Sequence, residues 1–315
     1  MSRRDLWRWG VYALVLTLAL AAVAGMVQFW GAAGIGAGVR RGLPALPAAL
    51  AVHAVQLAIS GLGWWCLLGR PGLRVITVMR ARWIREALNT LLPFAGISGG
   101  VASGRLLARE GGLSLAGATA AVTGDLTSEA VAQAPYLIAA LVTVAVVAPG
   151  ALTPGRAALA VLPVAAAALL FVLAQRAGLM RLIELAANRL GFGTAMAGLH
   201  DGLMALHANP AQIARAVSLH LLSWSLGGAE VWVILRAMGH PLGGAACFAL
   251  EGLGMAARSI GFALPAGLAA QEAGFVLAGA MLGVAAPDAV ALSLVKRLRE
   301  LAVGAGGVLT WQLRR

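Results

Sequence analysis

The sequence predicts an all-α fold, a polytopic helical membrane protein, and three observations support this class. Of the 315 residues, 60% are hydrophobic and only 11% are charged, whereas soluble domains have about 45–50% apolar and about 25% charged residues. Apolar segments recur at the length of about 20 residues that a bilayer-spanning helix needs. They are rich in Ala, Leu and Gly and lack the alternation of barrel strands. We therefore expect a single integral membrane domain over residues 1–315.

Six segments have the length and apolarity of simple spans. They cover about residues 9–30, 44–68, 113–147, 157–175, 211–238 and 288–311. The apolar run of the first extends from about Val11 to Trp30, which exceeds the about 7–15 residues of a signal-peptide core. We expect this segment to be an uncleaved first span.

Two further apolar stretches, at 86–108 and 245–284, are too interrupted for simple spans. Each has a central Leu-Pro, then glycines, then a short apolar helix. This pattern is typical of a re-entrant hairpin that enters the membrane, breaks and returns. The predicted breaks are Pro93, Gly99 and Gly100 in the first stretch and Pro265 and Gly267 in the second.

The two stretches also indicate an internal repeat. When Pro93 is aligned with Pro265, charged residues of the two halves fall into register. The matches are Arg85 with Arg258, Asp125 with Arg297, and Glu129 with Glu300, each to within one position. Repeat 1 would cover about 1–150 and repeat 2 about 155–315. Because each copy has three crossings, the second would be inverted relative to the first.

The net charge of +12 comes from arginines that flank apolar segments, without a basic face carrying interleaved aromatics. This pattern favours topology signals and lipid contacts over nucleic-acid binding, so no nucleic acid is expected as a partner. The arginine bias places both termini in the cytoplasm. The loop after the second span is assigned to that side with Arg70, Arg74, Arg80, Arg82 and Arg85, and the opposite side receives Arg40, Arg41, Arg156, Arg236 and Arg258.

The last span carries an unusual group of charges. Lys296 and Glu300 share a helix face at i,i+4 spacing, Arg297 is adjacent, and we expect Arg299 to point elsewhere. A charge at mid-bilayer costs about 2.5–3.5 kcal/mol, so these side chains must face protein, water or each other.

The third span offers a counterpart, with Asp125 and Glu129 at i,i+4 spacing. If the repeats are related by a pseudo-two-fold axis, these acids should face the bases of the last span. Gln271 and Glu272 would join them from the second hairpin. Two interpretations stay open: buried ion pairs that set helix register, or a midplane cavity for a head group. The surplus of positive charge favours an anionic ligand.

Enzyme signatures are absent: we find no Walker loop, no HExxH motif and no acid pair of the DxD type. The five histidines do not cluster at ligand spacing, and Cys66 and Cys247 lie in separate apolar runs. We therefore expect no catalytic residues, no metal site, no cofactor and no enzymatic activity.

Two passages carry a family resemblance: LNTLLPFAGISGGVASGRLL with GDLTSEAVAQ, and LPAGLAAQEAGFVLAGAMLG with ALSLVKRLREL. They resemble the flippase-like proteins related to the transmembrane region of lysylphosphatidylglycerol synthase, and most of all the hopanoid-biosynthesis-associated branch. At Val101, an acid would be expected from the relatives.

The resemblance implies a multi-pass protein of the bacterial inner membrane that moves a lipid between leaflets. Its partners would be membrane lipids, either a hopanoid or an anionic phospholipid, and hopanoid-biosynthesis enzymes. Lysyl transfer is not expected, because the chain ends at Arg315 without a soluble module. Two alternatives remain: a non-transporting scaffold for hopanoid enzymes, and a membrane-embedded lipid-modifying enzyme.

Overall fold

The structure is a computed structural model, and it describes residues 28–91, 95–189, 196–260 and 270–312, with isolated positions before residue 28. These residues form helices and contain no β-strand, which confirms the predicted fold class. The helices are α1 Ala32–Gly42, α2 Leu46–Leu68, α3 Val75–Leu91, α4 Ala95–Gly111, α5 Leu115–Val147, α6 Pro154–Arg176, α7 Leu179–Arg189, α8 Leu199–His207, α9 Pro210–Met238, α10 Gly244–Ile260, α11 Ala270–Leu282 and α12 Ala286–Gln312.

Polar capping residues set the starts of the long apolar helices. Ser114 accepts a hydrogen bond from the Gly117 backbone N–H at the start of α5. Thr153 and Asn209 cap α6 and α9 in the same way, and each is followed by a proline. Such caps satisfy backbone donors that the first helical turn leaves free. The boundaries of these helices therefore follow from local sequence.

Four helical segments among the described residues are long and apolar enough to cross a membrane. They are Ala32–Leu68, Leu115–Val147, Pro154–Arg176 and Pro210–Met238. Four of the predicted spans match them, although the helix expected at 44–68 begins earlier, with α1 and the short 3₁₀ turn Leu43–Ala45. The predicted first span, 9–30, lies mostly outside the described residues. The last predicted span, 288–311, corresponds to α12.

The two interrupted stretches fold as pairs of short helices. α3 packs on α4, and α10 packs on α11. The connections at 92–94 and 261–269 lie outside the described residues, and so do the predicted breaks Pro93, Pro265 and Gly267. A re-entrant path for the two pairs remains a prediction.

Gly99 and Gly100 do not mark a break, because both lie within α4. The absence of a side chain at Gly99 serves another purpose. A Cβ atom there would collide with the Arg85 carbonyl oxygen and with the Asn89 side chain. Gly99 thus lets α4 approach α3 closely, as small residues do between membrane helices.

The two halves of the chain make matching helix contacts. The central contact joins α2 to α9. Around it, α3 of the first half packs on α12 of the second half, and α10 of the second half packs on α5 of the first. Within the first half α4 packs on α5, and within the second half α11 packs on α12. A repeat would produce such a correspondence, but the repeat and its inverted orientation in a membrane remain predictions.

Candidate functional site

A polar cavity of about 300 Å³ lies between the two halves, lined from α2, α3, α5, α9, α10, α11 and α12. Its lining includes ten charged side chains, five of them cationic and five acidic. They are Arg82, Arg85, Arg258, Lys296 and Arg299, with Glu86, Glu129, Glu230, Glu251 and Glu300. Helical spacing explains their convergence, because residues three or four apart share a face. Buried charges of this kind are stable only when they are paired.

The first group of ion pairs, which we call the first-half cluster, joins α3, α5 and α9. It comprises Arg82, Arg85, Asp125, Glu129 and His220. Arg85 Nη2 lies 2.6 Å from Asp125 Oδ2 and 3.0 Å from Glu129 Oε1. Arg82 also pairs with Glu129, and His220 Nε2 lies 3.0 Å from Asp125 Oδ1. Both oxygens of the Asp125 carboxylate are thus occupied.

The second group, the central cluster, comprises Glu230, Glu251, Lys296 and Arg299. Lys296 Nζ lies 2.8 Å from Glu251 and 3.3 Å from Glu230. Arg299 donates two hydrogen bonds to Glu230, from Nε at 2.9 Å and from Nη2 at 3.2 Å. This bidentate geometry is the strong form of an arginine–carboxylate pair.

The third group, the second-half cluster, comprises Arg258, Glu272, Arg297 and Glu300. Arg258 Nη1 lies 2.6 Å from Glu300 Oε1 and donates to Gln271 Oε1 at 3.0 Å. Arg297 pairs with Glu300 at 3.1 Å and with Glu272 at 3.3 Å. Gln271 of α11 therefore joins this cluster through a hydrogen bond to Arg258 of α10.

Four of the predicted site residues line the cavity: Glu129, Gln271, Lys296 and Glu300. The other three, Asp125, Glu272 and Arg297, are outside the lining and contact it from behind.

The expected pairing between the third and last spans is wrong. Asp125 and Glu129 pair with Arg82 and Arg85 of α3, and the bases of α12 pair with acids of α9, α10, α11 and α12. Charged residues of α5 and of α12 thus form ion pairs with the short helix pair of their own half. The cations Arg82, Arg85 and Arg258 therefore come from the helix pairs.

The expected surplus of positive charge at the site is also wrong. Each of the three clusters contains two cationic and two carboxylate side chains, and the lining has equal numbers of both signs. Net positive charge therefore provides no argument for an anionic ligand. The arginines that make the chain basic lie elsewhere.

Several lining residues were assigned other places from the sequence. Arg82 and Arg85 were placed in a cytoplasmic loop and Arg258 on the opposite side, yet all three face the cavity. Arg299, expected to point elsewhere, is buried there, with 5% of its surface exposed. Arg82 and Arg85 lie on α3, which is short and carries enough charge to resemble a loop segment.

Glu230 and Glu251 were missed altogether. Each is a single acid within an apolar run, GGAEVWVIL and CFALEGLGM. The rule that intramembrane charges mark functional sites would have found both.

Asp125, Glu129 and His220 could in principle hold a metal ion, since each offers a ligand atom within 4.8 Å of the others. However, Arg82 and Arg85 already occupy the same carboxylates. Their two positive charges repel a cation, so this geometry favours an ion-pair cluster over a metal centre.

Comparison with known proteins places this architecture in a family. No curated protein and no solved structure has a significant match to the chain. The family model described as the lysylphosphatidylglycerol synthase TM region matches residues 10–306. That range contains all three charge clusters and every residue that lines the cavity, and the chain belongs to this family.

Proposed function

We propose that the protein moves a lipid between the two leaflets of the membrane, with the polar cavity receiving the head group. The observation that carries this proposal is a cavity of about 300 Å³ with ten charged side chains in its lining, in a helical protein with four helical segments long and apolar enough to cross a membrane among its described residues. Charged groups in a bilayer are costly and typically mark substrate pathways. A lipid head group would pass among them while its acyl chains remain in the hydrocarbon.

The charge balance of the lining selects the class of head group. A head group with a net charge would leave an uncompensated charge at the site, which is expensive in a low-dielectric surrounding. A zwitterionic head group can exchange partners with the existing ion pairs and leave none uncompensated. Hydroxyl groups can also hydrogen-bond to paired carboxylates without breaking the pairs. We infer a polar head group without net charge.

The resemblance to the hopanoid-associated branch makes a hydroxylated hopanoid the second lipid to consider. Such a head group meets the same requirement, because it is polar and uncharged. On this proposal the protein acts in the bacterial inner membrane, and any hopanoid-biosynthesis enzymes would be its suppliers of substrate.

A non-transporting scaffold is the second candidate function, and the completeness of the ion pairing favours it. Paired charges can fix helix register without any ligand. The cavity is what favours translocation, because packing for register alone would be served by a filled interior.

Proteoliposomes can test the proposal with acyl-chain-labelled lipids whose head groups are unmodified. We expect the protein to move zwitterionic phosphatidylethanolamine and a hydroxylated hopanoid faster than anionic phosphatidylglycerol. Thr90 lines the cavity and is in none of the clusters, so Thr90→Trp should obstruct the space without breaking an ion pair. Thr143→Trp is the matched control, because Thr143 bonds only within its own helix.

Two results would overturn the proposal. If no lipid moves faster than in protein-free vesicles, or if Thr90→Trp moves lipid as fast as the native protein, the cavity is not a lipid pathway. Faster movement of phosphatidylglycerol than of the zwitterionic lipid would reject the assignment of the head group.

A further inference from the structure

His53, on α2, lies between two oxygen atoms that accept hydrogen bonds. Its Nδ1 atom is 2.8 Å from Gln56 Oε1, and its Nε2 atom is 2.6 Å from Glu86 Oε1. A neutral imidazole has one N–H and can donate to only one of them. With the Gln56 amide oxygen facing the ring, both contacts are satisfied when the pair holds one proton more than a neutral histidine beside an ionised glutamate provides.

The charges around the cavity lead independently to the same conclusion. Six cationic side chains belong to the lining and the three clusters: Arg82, Arg85, Arg258, Lys296, Arg297 and Arg299. Seven acidic side chains belong to them: Glu86, Asp125, Glu129, Glu230, Glu251, Glu272 and Glu300. With His53 and His220 neutral, the described residues of this network carry one net negative charge. One bound proton brings the network to neutrality.

The cavity gives this proton a route to water. His53 and Glu86 both line it, with 10% and 26% of their side-chain surfaces exposed. The other buried histidine–carboxylate pair, His220 with Asp125, has no exposed side-chain surface. Of these two pairs, only the one at His53 can exchange a proton with the cavity.

Charged groups of both signs face the His53–Glu86 pair from the neighbouring helices. Glu86 of α3 and Glu230 of α9 are the acids near His53, and Arg82 of α3 and Arg299 of α12 are the cations near Glu86. From α5, Glu129 is engaged with Arg82. Loss of the proton would leave this network with one uncompensated negative charge. A ligand or a conformational change could therefore shift the equilibrium between the protonated and deprotonated states.

We propose that the His53–Glu86 pair is a proton-binding site, and that its proton crosses the membrane as the ion that drives lipid movement. This inference rests on the proposed function and adds its energy source. The proton enters from one aqueous side, binds between the imidazole and the carboxylate, and leaves to the other side when the cavity changes the side to which it opens. No covalent bond is formed or broken besides the N–H or O–H bond.

Nitrogen-15 NMR of the histidines in detergent-solubilised protein tests the site itself. The chain has five histidines, and His53→Gln identifies the signal of His53. We expect both ring nitrogens of His53 to carry protons at neutral pH, and the protonated form to disappear in Glu86→Gln. A neutral His53 in the native protein at neutral pH would overturn the proposal.

Proteoliposomes with a pH difference and a clamped membrane potential test the coupling. For one proton per lipid, one pH unit supports a leaflet ratio of up to about tenfold. We expect the native protein to concentrate labelled phosphatidylethanolamine in one leaflet, and His53→Gln and Glu86→Gln to give equal leaflets. His240→Gln is the matched control and should behave as the native protein, because His240 pairs with Asp288 outside the cavity.

The outcomes separate the two proposals. If the native protein equilibrates the lipid but ignores the pH difference, proton coupling is wrong and translocation stands. If the native protein moves no lipid under any gradient, translocation fails, and coupling fails with it even where NMR shows a bound proton. A pH response that persists in both His53→Gln and Glu86→Gln would place the coupling site elsewhere and overturn the assignment.

Discussion

Arg258 on α10 and Glu300 on α12 form an ion pair with a separation of 2.6 Å, and Arg85 on α3 pairs with Glu129 on α5 at 3.0 Å. Each pair joins the first helix of a short helix pair to the long helix that follows it. Because α3 also packs on α12 and α10 on α5, the four helices form a connected part of the cavity wall. The halves thus supply equivalent ion pairs to one shared site.

Removal of Arg85 should strongly destabilise the protein. The side chain is buried, pairs with Asp125 and Glu129, and lies 5.0 Å from the Trp64 ring. Loss of one partner of a buried ion pair costs about 3–5 kcal/mol, so Arg85→Ala should lower the midpoint of thermal unfolding in detergent clearly.

Arg80→Ala provides the control. Arg80 is one-third exposed and lies 3.9 Å from Glu110, and exposed pairs contribute about 0–1 kcal/mol. Similar small losses of thermal stability in Arg85→Ala and Arg80→Ala would show that the first-half cluster is not a buried ion-pair network.

The contact between α5 and α10 depends on a glycine. A Cβ atom at Gly252 would lie 2.5 Å from the Ala140 Cβ atom. Gly252→Ala should therefore separate two closely packed membrane helices, and overpacking of this kind costs about 1–3 kcal/mol. On α1, Gly36→Ala meets nothing within 4 Å, so it should leave stability unchanged or raise it. The midpoints of thermal unfolding of the two variants test this prediction. Equal midpoints would contradict the close approach of α5 and α10.

One buried hydrogen-bonded pair adds to the apolar contacts between the outer helix α6 and α5. In its apolar window only 6% of the residues are buried, but Gln175 near its end is fully buried and hydrogen-bonds to Thr127 of α5 at 2.9 Å. Gln175→Leu should cost about 0.5–2 kcal/mol and raise hydrogen exchange selectively over 154–176. Thr143→Val, which removes a bond within one helix, should do neither. Unchanged exchange in Gln175→Leu would show that apolar packing alone retains α6.

Cysteine labelling can show whether water fills the cavity. In a Cys66→Ala, Cys247→Ala background, Thr90→Cys should react with a membrane-impermeant, water-soluble thiol reagent, because Thr90 lines the cavity. Ser128→Cys should stay unreactive, since Ser128 is 2% exposed and is outside the lining. Thiol reactivity follows exposure and thiolate formation. Equal protection at both positions would mean that the cavity is closed to water.

Composition and periodicity alone determined much of this protein. The apolar fraction and the segment lengths predicted a helical membrane protein, and four predicted spans coincide with long helices of the structure. The i,i+4 spacing grouped Asp125 with Glu129, which share one cluster. It also grouped Lys296 with Glu300, which both line the cavity but pair in different clusters. These features are local, because helix length, helix ends and the residues that share a face depend on neighbours within a few turns.

Only the tertiary structure decided which charges meet. It brought Arg82 and Arg85 from a supposed loop, and Arg258 from the side of the membrane opposite to that loop, into the cavity. It also added Glu230 and Glu251, and turned Arg297 toward Glu272 behind the lining. It also replaced the expected excess of cations with balanced clusters. Partners between helices are separated by tens to hundreds of residues, and their pairing depends on how helix faces pack and on the cost of leaving any buried charge alone. The sequence identifies the charged residues, but the packing of helices that are distant in sequence determines which of these residues form pairs.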